Sequence, residues 1–282
     1  MQHTTTVARR GRALATGVGA TLALLALAAC SGGDGAGGDD ASSGSGGTVT
    51  LVTHDSFAVS EDVLAAFEEE SGLTVEQVAP GDGGALVNQL ILTKDSPLGD
   101  VVFGIDNTFA SRAIDEGVLE PYTPADVSES AASYAVGDGG ELTAVDLGDV
   151  CVNVDHTWFA DAGIPEPVTL EDLAKPEYRD LLVVTNPATS SPGLAFLLAT
   201  VGAFGEDGWE QYWADLRENG VKVVDGWSDA YSVDFSGGEG AGDRPLVLSY
   251  STSPAFTVSE DGTSSSTGAL LDTCFRQVEY PG

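Results

Sequence analysis

LVLSYSTSP, residues 246–254, is the stretch on which the reading of this chain turns. Leu246, Val247 and Leu248 form an apolar run too short for a helix, bracketed by Pro245 and Pro254, and therefore read as a buried strand. The strand runs out into Ser249, Tyr250, Ser251, Thr252 and Ser253. Hydroxyls and one aromatic at the carboxyl end of a buried strand stand where open α/β sheets place ligand contacts, in the crevice beyond the strand ends. A Ser/Thr-rich turn is the other reading of the same residues.

The segments upstream decide between the two. Residues 48–53 (TVTLVT) read as a buried strand, followed by a helix that Ser60 caps, that Glu61 and Asp62 favour through its dipole, and that Gly72 ends. Val63, Leu64 and Phe67 supply its apolar stripe. Residues 73–78 and 101–105 are further strands, with a helix over 85–93 between them and another around Phe109, Ala113 and Ile114. Alternation of this kind predicts a parallel sheet flanked by helices. It brings His54-Asp55-Ser56, the Gly81–Gly84 turn and Asp106-Asn107 to one rim.

A second α/β unit follows an extended segment at 142–155. Residues 181–184 are a strand leading into Thr189-Ser190-Ser191-Pro192-Gly193, and the helix over 194–204 is expected to take Ser191 as its N-cap and Pro192 at its first position. A helix that starts in a hydroxyl-rich loop either binds an anion or is simply capped. Trp209 and Trp213, four apart on a helix, read as packing residues. Trp227 follows the strand at 221–224 and stands beside Gly226, with Tyr231 four residues on, so it faces either a cleft or the core. Two α/β lobes joined by crossovers at about 147–154 and 249–255 would enclose a ligand cleft between facing rims.

The N-terminus is of another kind. Arg9, Arg10 and Arg12 precede an apolar run at 18–29, the pattern of an export signal, and Leu27-Ala28-Ala29-Cys30 resembles a bacterial lipobox. Residues 1–29 are thus expected to be a lipoprotein signal peptide, with Cys30 lipidated and 30–47 a flexible Gly/Ser/Asp tether. Removing the signal takes three of 11 basic residues and none of the 44 acidic ones, so the net charge moves from −33 to −36. Such a surface repels nucleic acid and anionic lipid headgroups. Cys151 and Cys274 remain, in an oxidising compartment, as a preferred disulfide or else as two buried thiols. No Cys/His spacing resembles a zinc site, and neither metal nor cofactor is expected.

Six segments, taken together, resemble the thiamine-binding periplasmic proteins of ABC importers, which have the type II solute-binding fold. They are Asp55-Ser56-Phe57, Gly81-Asp82-Gly83, Gly104-Ile105-Asp106-Asn107, TSSPG at 189–193, GWSDAY at 226–231 and LSYSTSPA at 248–255. The last two carry most of the specificity. The resemblance implies an α/β, two-lobed type II periplasmic-binding-protein fold, each lobe a mixed or parallel sheet flanked by helices, with the ligand cleft between the lobes. Lobe 1 would comprise 48–147 and 255–282, and lobe 2 would comprise 148–254 with hinge strands at both ends. Family members continue further, so the C-terminal part of lobe 1 is expected to be missing.

By matching position, the resemblance puts ligand contacts at Asp82, Gly83, Ser190, Ser191, Trp227, Tyr250, Ser251, Thr252, Ser253 and Pro254. The rim reading adds Asp55, Ser56, Asp106, Asn107 and Tyr231. The function so implied is a non-enzymatic, monomeric, lipid-anchored receptor on the outer face of the cytoplasmic membrane. It would deliver thiamine or its phosphates to an ABC permease and its ATPase. A ferric-iron or polyamine receptor of the same fold is the nearest alternative. An exported hydrolase using Ser190 or Ser251 would need His54 or His156 as base and lacks a Gly-x-Ser-x-Gly elbow.

Overall fold

A computed structural model describes residues 46–137, 139–238 and 241–282. The expected signal peptide, Cys30 and nearly all of the tether lie outside the described residues. The chain order is β1 (Thr48–His54), α1 (Glu61–Ser71), β2 (Thr74–Gly81), α2 (Gly83–Leu92), β3 (Val101–Asp106), α3 (Ala110–Asp115) and α4 (Glu129–Ala132). It continues with β4 (Asp146–Asp155), α5 (His156–Ala162), α6 (Leu170–Leu173), β5 (Leu182–Thr185), α7 (Ser191–Phe204), α8 (Trp209–Glu218) and β6 (Lys222–Val224). A π-helical segment (Asp229–Asp234), β7 (Leu246–Tyr250), a 3₁₀ segment (Ser253–Thr257) and β8 (Thr267–Pro281) complete it.

All eight strands form one mixed sheet in the order β2-β1-β3-β8-β4-β7-β5-β6. The outer trios, β2-β1-β3 and β7-β5-β6, are parallel, as alternating strands and helices require. Between them β8 and β4 run antiparallel to their neighbours. Leu246–Tyr250 is therefore an interior strand, as its apolar run demanded.

Two main cores sit along this sheet. Val52, Leu86, Val87, Ile105 and Phe109 pack with Val278 and Tyr280 on the β1–β3 side. Val150, Val152, Phe159, Leu173, Phe196, Leu246 and Leu248 form the other. Trp213 supports the second as expected, edge-on to Phe196 at 5.6 Å and donating Nε1–H to Thr200 Oγ1 at 2.9 Å. Phe196 is fully enclosed, and truncating it to alanine would cost ~3–5 kcal/mol.

Three local expectations change. Ser190, not Ser191, is the N-cap of α7, accepting from Gly193 N–H at 3.4 Å, so Pro192 is the second helical residue. The earlier cap follows from Ser190 N–H bonding back to Asn186 O at 3.0 Å, which closes the loop one residue sooner. Ser60 has cap geometry but its side chain caps nothing. The apolar stripe of α1 is not buried either, with Val63 58% and Phe67 48% exposed.

The longest strand, β8, is irregular. Its residues 275–279 pair with 146–150 of β4, whereas 267–270 pair with 152–155, so β8 carries three extra residues between Leu270 and Phe275. Thr273 Oγ1 fills the gap by accepting Val152 N–H at 2.9 Å. Cys274 is bonded to Cys151 there, so the preferred disulfide joins β4 and β8 at this bulge.

Candidate ligand site

The site is built where α2 and α7 begin, beyond the strand ends. Asp82 is the N-cap of α2, with Oδ1 accepting Gly83 N–H at 2.6 Å. Its other contacts cross to the second half of the chain: Oδ2 accepts Trp227 N–H at 2.9 Å and Oδ1 accepts Ser191 N–H at 3.4 Å. Ala85 N–H also reaches Thr189 O at 2.9 Å. Glycine permits this approach, because a Cβ at Gly83 would collide with Ser191 Oγ and one at Gly84 with the Thr189 backbone. The two helix starts face each other with one carboxylate between them.

Asp82, Gly83, Ser191 and Trp227, four of the residues expected at the ligand site, thus lie together. Asp55 joins them at Gly226, against which the side chains of both Asp82 and Asp55 pack. Burial and the charge of Asp82 push the Asp55 carboxyl above its ordinary value. Trp227 stacks on Tyr231, with centroids 4.9 Å apart and planes at 12°, and donates Nε1–H to Ser249 Oγ at 2.9 Å. Tyr231 is buried among Val183, Ala230, Phe235 and Val247, and so backs the indole. Ser249 Oγ is tied in turn to Ser253 Oγ at 2.8 Å.

The other predicted residues have defined places. Ser190 donates its hydroxyl to Thr185 Oγ1 at 2.8 Å in the interior. Ser56 Oγ pairs with His54 Nδ1 at 3.0 Å. Asn107 holds β8, donating to Arg276 O at 3.2 Å and accepting Val278 N–H at 3.0 Å. Ser251 N–H bonds to Asp149 O, and Thr252 O and Pro254 O accept from Ala255 and Thr257 in the following turn.

Asp106 is fully buried and its carboxyl is pushed up by desolvation, with Asp82 adding to the effect. Its lateral partner on β8 is Glu279, whose other lateral partner is Asp146 on β4. Three carboxylates thus form a row across three adjacent strands. Burial, then Asp146, Asp106 and Asp82, push Glu279 up to about 8. Tyr250 is also raised, by burial and then by Glu279. Among the described residues, the charged groups acting most on Asp55, Asp106, Asp146 and Glu279 are other carboxylates and His54. The result is a group of carboxylates that disfavours an anion beside it and favours a cation.

Sequence reasoning missed Glu279, Gln277 and Asp146. The available signal was the alternation in residues 275–280, with Gln277 and Glu279 set between Val278 and Tyr280.

The model of the family described as bacterial extracellular solute-binding protein matches residues 96–254, and the chain belongs to that family. Its relatives include the thiamine-binding periplasmic protein of Brucella suis, 32% identical over 74% of this chain and 60% of the relative. That of Escherichia coli is 30% identical over 76% of this chain and 63% of the relative. The chain thus spans about 60% of the length of the curated relatives it matches. The solved structure of a periplasmic thiamin binding protein superposes with a TM-score of 0.68 at 30% identity, covering 83% of this chain and 72% of the other. The mixed sheet and its helices have the type II periplasmic-binding-protein fold.

Proposed function

We propose that this chain is the extracytoplasmic receptor of an ABC importer, which closes on thiamine or a thiamine phosphate and presents the closed form to a permease and its ATPase. One observation carries the reading: Asp82 meets Trp227 and Ser191 beside Asp106 and Glu279, each pushed up by burial and by neighbouring carboxylates. Thiamine has a permanent thiazolium cation and an amino-substituted pyrimidine. A group of carboxylates suits the cation, and the exposed face of Trp227 suits either ring. The names of the relatives agree with this ligand.

In this reading residues 48–147 with 255–282, and residues 148–254, are lobes that close over Asp55, Asp82, Gly83, Asp106, Ser191, Trp227 and Tyr250. Cys30 anchors the chain to the outer face of the membrane. It works as a carrier and not a catalyst, because the Ser190 hydroxyl is committed to Thr185 and His54 to Ser56.

Calorimetric titration of the chain in detergent tests the proposal, using thiamine, thiamine monophosphate, thiamine pyrophosphate and spermidine. Submicromolar binding of a thiamine form with no response to spermidine is expected. Binding of spermidine alone would replace the proposal with the polyamine reading, and silence toward every thiamine form would leave only the fold.

A further inference from the structure

We infer that Glu279, held by Gln277 beside Asp106, is a binding residue of this cleft that takes a hydrogen-bond-donating, cationic part of the ligand. The inference rests on the thiamine reading and adds to it a group on the return strand β8. Three observations converge on it.

The first is placement. Glu279 is the middle of the carboxylate row Asp106–Glu279–Asp146, and the electrostatic influence of Asp82 reaches it from the start of α2. Tyr250, at the end of the strand that opens the site, feels its charge as well. The titratable groups facing it are therefore Asp106 on β3, Asp146 on β4, Tyr250 on β7 and Asp82 at α2, with His54 acting on Asp146.

The second is unsatisfied polarity. Gln277 is 1% exposed, and its Nε2–H is donated to Glu279 Oε1 at 2.7 Å, yet its Oε1 has no partner. Asp106 is fully buried, and the Ser191 hydroxyl beside it acts on its carboxyl as a hydrogen-bond partner of imperfect geometry. A buried acceptor such as Gln277 Oε1 costs about 1–3 kcal/mol when left without a bond. A ligand bearing an N–H group would satisfy the free acceptor, Gln277 Oε1, beside Glu279.

The third is the balance of charge. With carboxylates on both sides, Glu279 holds a proton at neutral pH, and a cation arriving beside it would let that proton leave. Ligand capture is thereby coupled to proton release: the proton passes from the Glu279 carboxyl to solvent as the ligand cation takes its place.

The test is calorimetry with thiamine at pH 7 in buffers of different ionisation enthalpy, which counts protons on the unmodified chain. Roughly one proton is expected to leave on binding, with affinity rising between pH 6 and pH 8. Glu279→Gln should bind roughly tenfold or more weakly at pH 8, release no proton and lose the pH dependence. Glu279→Asp should recover proton release in part. A wild type that binds thiamine without releasing a proton overturns the inference and leaves the function standing, as does a folded Glu279→Gln variant with unchanged affinity. A wild type that ignores thiamine overturns both.

Discussion

Asp82 Oδ2 accepts the backbone N–H of Trp227 at 2.9 Å, across 145 residues of sequence. One side chain thus caps α2 and holds the opposite half of the molecule. Replacing Asp82 by alanine removes the cap, worth ~1 kcal/mol, and strands the amides of Ser191 and Trp227. We expect a loss of ~2–4 kcal/mol in denaturant unfolding. Asp82→Asn keeps one acceptor but sets its amide N–H against a backbone N–H and loses the charge, so it should recover only part of the stability and little of the cation affinity. Wild-type affinity in Asp82→Asn would confine Asp82 to a structural role.

Trp227 is stacked on Tyr231 on one side and anchored by Ser249 through its ring nitrogen. Removing the indole should weaken thiamine binding by ~2 kcal/mol, roughly 30-fold, since a desolvated cation–π contact is lost. Trp227→Phe should retain part of the affinity and lose the bond to Ser249. Titration of both variants decides the matter, and equal affinity in all three proteins would assign Trp227 to packing alone.

Ligand-free stability should fall as pH rises. The folded chain keeps a proton on Glu279 up to about pH 8, whereas the unfolded chain releases it near 4.5, so each step upward through that window favours unfolding. The accumulated cost is on the order of a few kcal/mol. His54, lowered by burial, acts in the opposite sense below its ordinary value. Comparing urea midpoints of wild type and Glu279→Gln at pH 5 and pH 8 isolates the Glu279 contribution. The variant should gain on the wild type only at the higher pH.

The Cys151–Cys274 disulfide closes a loop with a sequence separation of 123 residues. Chain entropy assigns such a closure a contribution of ~4–5 kcal/mol. A Cys151→Ala, Cys274→Ala double variant should be destabilised by about that amount in urea unfolding, and reductant should shift the wild type but not the variant. A reductant-insensitive wild type would count against the bond.

Much of this was legible from residue pattern. The apolar triplet Leu246–Leu248 marked an interior strand, and the turn at 81–84, expected on the rim, lies against Ser191 in the structure. Other parts were hidden for physical reasons. A strand of 15 residues interrupted by a bulge has no continuous alternation, so β8 was visible only as its last apolar stretch. GWSDAY was assigned no element, because a π-helical segment has neither a strand's period nor a standard helix's. The carboxylate row could not be read at all, since Asp106, Asp146 and Glu279 meet only through pairing between strands far apart in sequence.

The bulge in β8 has an arithmetic of its own. Val150 and Val152 lie on one face of β4, and their partners Phe275 and Leu270 differ by five, an odd number, so the three extra residues exchange the parity of the strand. Beyond them, the even positions Val278 and Tyr280 enter the β1–β3 core, and the odd positions Gln277 and Glu279 turn to the opposite side. Losing one residue from 271–274 would swap the two sets, sending carboxylate and amide into hydrocarbon and a valine and a tyrosine to the side of the carboxylates. The bond at Cys274 therefore acts as a register pin: it fixes which half of an alternating sequence is chemistry and which half is core.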